Sequence, residues 1–534
     1  MERDVRLLED DRFDLLVIGG GIYGAWVAYD AAQRGLRVAI VERKDWAAGT
    51  SSGSSKLIHG GLRYLETGSL GLVRKSLTER QRLARLGPHR VRPLRFVIPT
   101  WTDDRVGRLR LRLGLWLYDK LGGGGSPTGG REAIGRRAML ERYDFLEADR
   151  LRGGFAYGDC VTDDARFTLE IVDGAARAGA VAANRVRATA LLLDRGRVRG
   201  AEVEDEETGR RMRVRADVTV VCAGPWTASL VESAGVSGLP RPRITKGVHL
   251  LLPRLAAEEA FLLPTRDRRV VFLVPWYGRT LLGTTDTDYD GRPEDVRVER
   301  GDVRYLLDQA RRAIRVDWTQ ADVVASFAAV RTMRPSRAES PSAVGREFAL
   351  EEPIERLLVP VGGKYTSARY DAAATVDRAL ARLGRPRGHR PTDDLPFPWC
   401  PSGEFDAWFH EMFHQALSAG LDEDTAGHCV LRYGSNTERL LAVVRRVPHL
   451  ARRAVPDAPF CVAELLHAVR HEMARTLEDV LRRRVPLLLV SPPGPAELRE
   501  LADIVGAELG WSRERRLREV EALSAPSLAK ATGG

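Results

Sequence analysis

Cysteine is scarce in this chain, and long apolar runs are missing. The 534 residues include five cysteines, no two of which form a Cys-x-x-Cys pair. This spacing argues against a zinc site or a disulfide framework and suits a reducing compartment. No apolar run is long enough to cross a bilayer, and the charged residues after Met1 do not resemble a secretory signal. Any membrane contact is therefore expected to be peripheral, on a cytoplasmic protein.

Acidic residues are outnumbered by basic ones, 73 to 83, and the net charge is +10. Such an excess of positive charge can favour binding to nucleic acid, to an anionic membrane surface or to an anionic substrate. The excess is mostly arginine spread over the whole chain, without the basic and aromatic cluster of an RNA-binding surface. No nucleic-acid partner is expected. The paired histidines His410/His414 and His467/His471 are interpreted as ordinary surface residues, and no metal site is expected.

A strand–helix–strand unit opens the chain. Residues 13–18 (FDLLVI) predict a buried parallel strand. A glycine-rich turn and an alanine-rich helix follow, and Gly35 ends that helix. Residues 36–41 (LRVAIV) predict a second buried strand, which ends at Glu42. The order and spacing are typical of the first half of a doubly wound sheet.

The turn of this unit carries Gly-x-Gly-x-x-Gly as Gly19, Gly21 and Gly24. Gly19 permits the tight turn, Gly21 lets a pyrophosphate approach the backbone, and Gly24 lets helix and strand pack closely. The helix N-terminus offers N–H donors and a partial positive charge to phosphates. Glu42 can accept hydrogen bonds from an adenosine ribose. The motif predicts dinucleotide binding but does not choose between NAD and FAD.

Three later strands are predicted to end in glycine or Thr-Asp loops. Residues 213–221 lead into Gly224, residues 281–282 lead into Gly283-Thr284-Thr285-Asp286, and residues 357–361 lead into Gly362-Gly363-Lys364. Loops at the carboxyl ends of strands face the ligand in such folds.

The composition changes near residues 384–404, a segment rich in Pro and Gly that predicts a linker. Segments beyond it, such as 404–417, 437–444 and 463–484, are predicted to be helical. We therefore expect an interleaved cofactor and substrate unit over residues 1–390 and a helical C-terminal domain over residues 391–534.

The segment 50–66 (TSSGSSKLIHGGLRYLE) fits neither a buried helix nor a plain strand. Small hydroxyl residues let a chain lie flat against a ligand, and His59 and Arg63 add a base and a cation. A base and a cation in one short loop are typical of a site that moves a proton and binds an anionic group.

These segments resemble the FAD-dependent, membrane-associated glycerol-3-phosphate dehydrogenases of the D-amino-acid-oxidase-like flavoprotein superfamily. The likeness extends over residues 13–484 and is weaker in the C-terminal part. The matching segments are GGGIYGAWVAYDAAQRGLRVAIVE, TSSGSSKLIHGGLRYLE, YGDCVTDDAR, CAGPWT, KGVHLLLP, LLGTTDTDY, VGGKYTSAR and YGSNTERLL. The resemblance implies an α/β fold: a Rossmann-like FAD-binding sheet, a mixed-sheet substrate region and the helical C-terminal domain.

The resemblance also implies roles for residues. Segment 50–66 is expected to run along FAD, with Gly60 and Gly61 letting the backbone approach the isoalloxazine edge. The expected cofactor-binding residues are Gly19, Gly21, Gly24, Glu42, Thr50, Ser51, Ser52, Ser55, Gly60, Gly61, Gly224, Asp286, Gly363, Lys364 and Tyr365. The expected substrate-binding residues are Arg63, Tyr64, Thr284, Arg331 and Arg346.

The expected catalytic residues are His59, His249 and Lys364. Lys364 would stabilise the reduced, anionic flavin at N1–O2. His59 and His249 both stay open as the proton acceptor, with His249 preferred, because an unperturbed histidine titrates near neutral pH. Two departures from the family pattern bear on the substrate: Arg334 is an alternative to Arg331, and Tyr365 is large enough to narrow the pocket.

The reaction implied is oxidation of sn-glycerol 3-phosphate to dihydroxyacetone phosphate, with hydride from C2 to flavin N5 and electrons to a membrane quinone. The protein would sit peripherally on the cytoplasmic face of the inner membrane. Residues 105–121 mix Arg with Leu and Trp, which suits an anionic membrane surface, although residues 108–113 alternate as a strand would. The C-terminal domain is a candidate for homodimer formation or membrane docking. An oxidase of the same superfamily that uses O₂ is the alternative.

Overall fold

The computed structural model describes residues 1–10, 12–66, 68–265, 267, 269–335 and 345–524. The strands of these residues are, in chain order, β1 (Arg12–Ile18), β2 (Val38–Glu42), β3 (Leu57–Ile58), β4 (Arg92–Trp101), β5 (Glu132–Gly135), β6 (Leu151–Val161), β7 (Val181–Asn184), β8 (Val186–Asp194), β9 (Arg197–Asp205), β10 (Arg211–Val221), β11 (Arg243–Pro253), β12 (Ala260–Pro264), β13 (Val270–Trp276), β14 (Arg279–Gly283), β15 (Thr287–Asp288), β16 (Ala325–Met333), β17 (Phe348–Ile354) and β18 (Leu357–Gly362).

The α-helices of the same residues are α1 (Leu7–Asp10), α2 (Ile22–Gln33), α3 (Leu70–Leu86), α4 (Arg108–Leu121), α5 (Arg136–Arg142), α6 (Asp164–Arg177), α7 (Thr227–Ser233), α8 (Arg300–Arg311), α9 (Ala368–Arg382), α10 (Phe405–Ser418), α11 (Glu423–Tyr433), α12 (Thr437–Arg446), α13 (Val462–His471), α14 (Leu487–Val490), α15 (Pro495–Glu508) and α16 (Arg513–Ser524).

The first sheet is the doubly wound sheet that the opening segment predicts. Its strand order is β17-β18-β10-β1-β2-β7, with β9 and β8 added beside β10. Strand β1 pairs in parallel with both β10 and β2, and its apolar residues are buried because helices α2, α6 and α9 cover one face of the sheet. The carboxyl ends of β1, β2 and β10 therefore meet at one edge, where ligands bind in such sheets.

The second sheet is mixed and has ten strands in the order β15-β11-β14-β13-β12-β4-β6-β3, with β16 beside β11 and β5 beside β6. Strand β11, which carries His249, pairs with β14 on one side and with β16 on the other. In this register His249 of β11 lies opposite Gly283 on one side and Phe327 on the other. The two sheets together match the fold expected for residues 1–390.

The C-terminal region is helical, from α10 to α16. The segment 384–404, predicted to be a linker, is anchored, because Phe397 and Trp399 are buried in the core that covers α2. The prediction of one continuous helix over 463–484 is wrong. Helix α13 ends at His471. Helical geometry resumes at residues 477–478 and continues as a π-helix over Asp479–Arg484. The break lets two buried carboxylates of this segment reach arginines of the first unit.

Residues 108–113 form the start of helix α4, although their strict alternation is typical of a strand. Leu115 and Tyr118 supply the buried face of the helix, while Leu109, Leu113 and Trp116 are exposed. The buried and exposed side chains of α4 are thus separated at helical spacing, and the alternation of residues 108–113 does not correspond to a strand. No helix within the described ranges has the length and apolarity needed to span a bilayer.

Buried ion pairs join the C-terminal helices to the first unit. Glu472 accepts two hydrogen bonds, 2.7 and 2.8 Å long, from Arg166 of α6. Asp45, which follows β2, accepts from Arg483 at 2.7 Å and from Arg484 at 2.6 Å. One hydrophobic core also includes residues of both units. The domain boundary at residues 390 and 391 stays a prediction.

We expect Glu472→Gln to lower the free energy of unfolding by about 3–5 kcal/mol, because it leaves the Arg166 charge buried without its counter-charge. Urea unfolding of the holoenzyme at pH 7 measures the loss. Arg166 lowers the pKa of Glu472 to about 2 although burial opposes this shift. The contribution is therefore complete above the unfolded value near 4.5 and is lost as the pH falls toward 2.

Glu141→Gln, which breaks the exposed pair between Arg137 and Glu141, is the matched control and should leave the urea midpoint unchanged. Equal midpoints for the two variants would contradict the prediction.

Candidate active site

A cavity of about 860 Å³ is lined by residues of both sheets. The carboxyl ends of β1, β2 and β18 contribute one side, and β13 and β16 contribute the other. Arg482, Arg483 and Leu489 of the C-terminal region also line it. This volume is in the range of a pocket that binds a cofactor together with a small substrate.

The glycine turn is built as the motif predicts. Gly19 has φ = +112°, and a Cβ there would lie 2.5 Å from the carbonyl oxygen of Cys222, which directly follows β10. A Cβ on Gly24 would lie 1.8 Å from the carbonyl oxygen of Gly19. Gly21 is the N-cap residue of helix α2 and gives it no side-chain cap. The first turn of α2 therefore presents backbone N–H groups to the cavity, as phosphate binding requires.

Glu42 and Ser51 hold this turn from outside. The Glu42 carboxylate accepts from the Gly20 N–H at 2.7 Å and from the Lys44 N–H at 2.8 Å. Ser51 Oγ accepts from the Ile22 N–H at 2.9 Å. Burial raises the pKa of Glu42, while its two backbone N–H donors oppose that shift. Both residues line the cavity, where ribose and phosphate groups are expected.

The hydroxyl segment after Gly49 follows the cavity wall. Thr50 donates to the Val330 carbonyl at 2.6 Å, which ties this segment to β16. Ser55 Oγ lies 2.9 Å from His249 Nε2. Thr50, Ser52 and Ser55 all line the cavity. The segment thus bridges the two sheets where the flavin is expected.

His59 and Lys364 meet on the opposite wall. Lys364 Nζ donates to the His59 carbonyl oxygen, and the Thr366 hydroxyl lies 3.3 Å from the same oxygen. Burial, reinforced by Lys364 and nearby arginines, holds the pKa of His59 well below its usual range. Burial also lowers the pKa of Lys364 to about 7, with Asp159 opposing and Arg346 adding to the shift. Near pH 7, His59 is neutral and Lys364 is close to its own midpoint.

His249 does not line the cavity. Its ring is buried, stacks on the cavity-lining Phe327 with centroids 4.9 Å apart, and lies within hydrogen-bond distance of the cavity-lining Ser55. Its Nδ1 has no hydrogen-bond partner among the described residues. Burial, with Arg331 and Lys56 adding, holds the pKa of His249 well below its usual range. The sequence could not distinguish His249 from His59, because both occur in matching segments.

Arginines gather at the end of the cavity near Asp286. Arg331 donates to Thr284 Oγ1 at 2.7 Å and to Asp286 at 3.2 Å. Arg63 lies 3.9 Å from the other oxygen of Asp286, and Arg346 also lines this region. Burial and the charge of Arg346 lower the pKa of Arg331 to about 10. Cations outnumber carboxylates here, which favours an anionic ligand.

Most predicted site residues come together. Gly24 and Gly60 pack behind the cavity wall with His249, and all the others line the cavity. Of the two arginines left open, Arg331 lines it, whereas Arg334 is exposed outside it. The Tyr365 hydroxyl donates to the Asp164 carbonyl at 2.7 Å, so its side chain points toward α6 rather than across the pocket.

The prediction missed an ion pair behind the hydroxyl segment. Lys56 Nζ lies 2.5 Å from Asp164 Oδ1, and both side chains are buried. The only signals in the sequence are a lysine inside the segment 50–66 and two adjacent aspartates that follow a strand. Neither signal states that residues 108 positions apart are in contact.

His410 and His414 flank Glu411 in a His-Glu-x-x-His pattern on α10, which supplies two zinc ligands in metalloproteases. All three side chains are exposed. Over the described ranges, no three His, Cys, Asp or Glu side chains are grouped to hold a metal ion.

The model of the FAD dependent oxidoreductase family matches residues 14–358, and that of the C-terminal domain of alpha-glycerophosphate oxidase matches residues 398–516. A glycerol-3-phosphate dehydrogenase of Mycobacterium leprae is 36% identical over 520 residues, covering 96% of this chain and 88% of that protein. The chain belongs to the FAD-dependent glycerol-3-phosphate dehydrogenase family. The predicted family, fold and cofactor are confirmed.

Two other family members bear on the site. The solved structure of the Bacillus halodurans glycerol-3-phosphate dehydrogenase, complexed with FAD, matches with a TM-score of 0.80 and 27% identity, covering 97% of this chain and 95% of that chain. A D-erythritol 1-phosphate dehydrogenase of Brucella abortus is 37% identical over 489 residues, covering 90% of this chain and 95% of that protein. The glycine turn, the position of the start of α2 and the cavity volume all fit FAD.

We expect Gly24→Ala to abolish FAD binding, because its Cβ would lie 1.8 Å from the Gly19 carbonyl oxygen and push α2 away from the turn. The flavin absorbance of the purified protein measures the loss, and far-UV circular dichroism checks folding. Gly114→Ala is the control, because a Cβ at that helical glycine meets no atom within 4 Å. A folded Gly24→Ala variant with full flavin content would refute this account of the turn.

Proposed function

We propose that this protein oxidises sn-glycerol 3-phosphate to dihydroxyacetone phosphate and that a membrane quinone takes the electrons. The single observation that supports it best is one cavity that joins three arginines to a neutral histidine. The arginines suit a phosphate, and the histidine suits a hydroxyl proton. The remaining residues of the cavity fit FAD.

The phosphate end of the substrate is assigned to Arg63, Arg331 and Arg346. The planar guanidinium group can bind two phosphate oxygens at once. Arg331 is held by Thr284 and Asp286 at 2.7 and 3.2 Å, so its orientation is fixed before the substrate arrives. Arg346 Nε has no partner among the described residues, which leaves it available to a ligand. A substrate without a phosphate would leave three guanidinium groups facing the single carboxylate of Asp286 in a buried site.

The hydroxyl end is assigned to His59. Its depressed pKa keeps the imidazole neutral at pH 7, so it can accept the proton of a secondary alcohol. Bound FAD supplies the hydride acceptor for the C2 hydrogen. Lys364, which contacts the His59 carbonyl, can place a positive charge beside the reaction centre. His249 stays a prediction as proton acceptor, because its ring lies behind the cavity-lining residues Ser55 and Phe327.

A longer polyol phosphate is the second candidate substrate. The 37% identity to the Brucella D-erythritol 1-phosphate dehydrogenase supports it, since that identity extends over 90% of this chain. Erythritol 1-phosphate has the same phosphate and hydroxyl chemistry with one more carbon. The arginine end of the cavity accepts either molecule, so a direct comparison of substrates is required.

The proposed membrane contact is the exposed stripe of α4, formed by Leu109, Leu113 and Trp116. These side chains are 80%, 62% and 42% exposed and follow one another at i, i+4 and i+7 on one helix face. Arg110 and Arg112 are exposed on the same helix. An apolar stripe flanked by arginines favours an anionic bilayer surface. The protein would then lie peripherally on the cytoplasmic face, within reach of a quinone.

We expect glycerol 3-phosphate to bleach the flavin band of the holoenzyme under anaerobic conditions, whereas glycerol and lactate leave it unchanged. Visible spectroscopy measures this reduction, and erythritol 1-phosphate is tested beside it. Arg331→Gln should weaken the apparent substrate affinity roughly tenfold to a hundredfold, because a charge-assisted hydrogen bond contributes about 1.5–3 kcal/mol.

An unchanged flavin band with glycerol 3-phosphate would reject the substrate. Hydrogen peroxide formed in proportion to turnover in air would reject the quinone and favour the oxidase alternative.

We expect the protein to bind vesicles that contain anionic lipid at low salt, and the variant Leu109→Gln/Leu113→Gln/Trp116→Gln to lose most of this binding. Sedimentation with the vesicles measures the bound fraction. Leu517→Gln, which removes another exposed leucine on α16, should bind as the parent protein does. Equal binding of all three proteins would exclude the α4 stripe as the contact.

A further inference from the structure

Lys56 is an unusual residue for the wall of a cofactor site. Its side chain is 2% exposed, and its backbone has φ = +61°, a left-handed conformation that is costly for residues other than glycine. Its carbonyl accepts from the Thr162 N–H at 2.8 Å, and its N–H donates to Ser54 Oγ at 3.1 Å. Such a conformation persists only where the surrounding contacts impose it.

The Asp164 carboxylate adds further contacts to this segment. Its Oδ1 accepts from Lys56 Nζ at 2.5 Å, and its Oδ2 accepts from the Ser54 N–H and hydroxyl at 3.0 and 2.7 Å. Lys56 Nζ also donates to the Ser52 carbonyl at 2.7 Å. Asp164 therefore fixes the backbone on both sides of Ser55. The carboxylate itself is fixed because Asp164 begins helix α6.

The same residue reaches the opposite wall of the cavity. The Asp164 carbonyl accepts from the Tyr365 hydroxyl at 2.7 Å, and Tyr365 directly follows Lys364. Two cavity-lining segments, residues 52–56 and 364–366, are thus attached to one point at the start of α6. Neither segment is part of a β-strand: residues 52–56 precede β3, and residues 364–366 follow β18.

The ion pair also acts on His249. Ser55 Oγ lies 2.9 Å from His249 Nε2. Lys56 Nζ lies 5.2 Å from the centre of the Phe327 ring, which stacks on His249 from its other side. The charged groups that face His249 are Lys56 from this segment and Arg331 from β16, with Asp164 and Asp286 beyond them. Both nearby charges are positive and oppose protonation of the imidazole.

We propose that the Lys56–Asp164 pair is a positioning device of the active site, which holds Ser55 between His249 and the cavity. The pair acts through Ser55, while the backbone carbonyl of Asp164 attaches the Lys364 loop to the start of the same helix. The inference rests on the proposed function for its kinetic consequences. Its structural consequences do not depend on the substrate.

The test replaces the pair by neutral side chains of similar size, Lys56→Met/Asp164→Asn, because removing one partner alone would leave a buried charge. The matched control is Lys246→Met/Asp302→Asn. Lys246 and Asp302 form another buried pair, 2.8 Å apart, and neither lines the cavity. Both variants are studied as holoenzymes.

Three readouts are compared: the dissociation constant of FAD, the kinetics with glycerol 3-phosphate, and the ¹³C shift of the His249 ring, assigned with His249→Gln. In Lys56→Met/Asp164→Asn we expect kcat to fall roughly tenfold to a hundredfold, as for a misplacement near 1 Å, with KM changed less than about threefold because the arginines stay in place. The His249 shift should move, and FAD should bind more weakly. In the control variant all three should match the parent protein.

A merely structural role would lower the midpoint of thermal unfolding in both variants and leave the His249 shift and kcat of the first variant at parental values; that result overturns the proposal. If Lys56→Met/Asp164→Asn does not fold, Ser54→Ala replaces it. That change removes the 2.7 Å bond from the Ser54 hydroxyl to Asp164 and the 3.1 Å bond from the Lys56 N–H to that hydroxyl, and it should move the His249 shift in the same direction by less. An unmoved shift in Ser54→Ala also overturns the proposal. If the parent protein is not reduced by glycerol 3-phosphate, the proposed function fails while the FAD and ¹³C readouts still decide this inference.

Discussion

Three guanidinium groups near one buried carboxylate set the electrostatic constraint on which this site depends. Arg63, Arg331 and Arg346 gather near Asp286, and Lys364 adds a fourth cation to the same cavity. Burial, with the charges of Arg63 and Arg346 adding to it, holds the pKa of His59 well below its usual range and lowers the pKa of Lys364 to about 7. The neutral histidine and the preference for an anionic ligand thus share two of their causes, Arg63 and Arg346. Loss of either arginine would change both properties at once.

The local parts of this design could be predicted from the sequence. The strand predicted at residues 13–18 and the glycines Gly19, Gly21 and Gly24 form the turn that was expected, because β1 and the start of α2 are specified by neighbouring residues. The alternation at residues 108–113 failed as a guide, because the burial of Leu115 and Tyr118 decided for a helix. The predicted helix over 463–484 failed because Glu472 and Asp479 pair with distant arginines. Helical propensity carries no information about such partners.

The same limit applies within the site. In the segment 50–66, the residue types of His59 and Arg63 indicate the chemistry. The conformation of the segment, however, depends on Asp164, which lies on helix α6. The choice between His59 and His249 depends on which ring borders the cavity, and that follows from the register of β11 with β14 and β16. Residue types therefore predict which functions are available, whereas long-range pairing decides which side chain performs each of them.

The position of Asp45 has a consequence for how this protein is made. Asp45 lies just after β2, and its counter-charges are Arg483 and Arg484, more than 430 residues further along the chain. During synthesis on the ribosome, the flavin-binding half emerges long before those arginines exist. Until they arrive, Asp45 lacks its counter-charges and its burial is unfavourable. Arg482, Arg483 and Leu489 also line the cavity, so the cavity wall is complete only once the C-terminal region has been made.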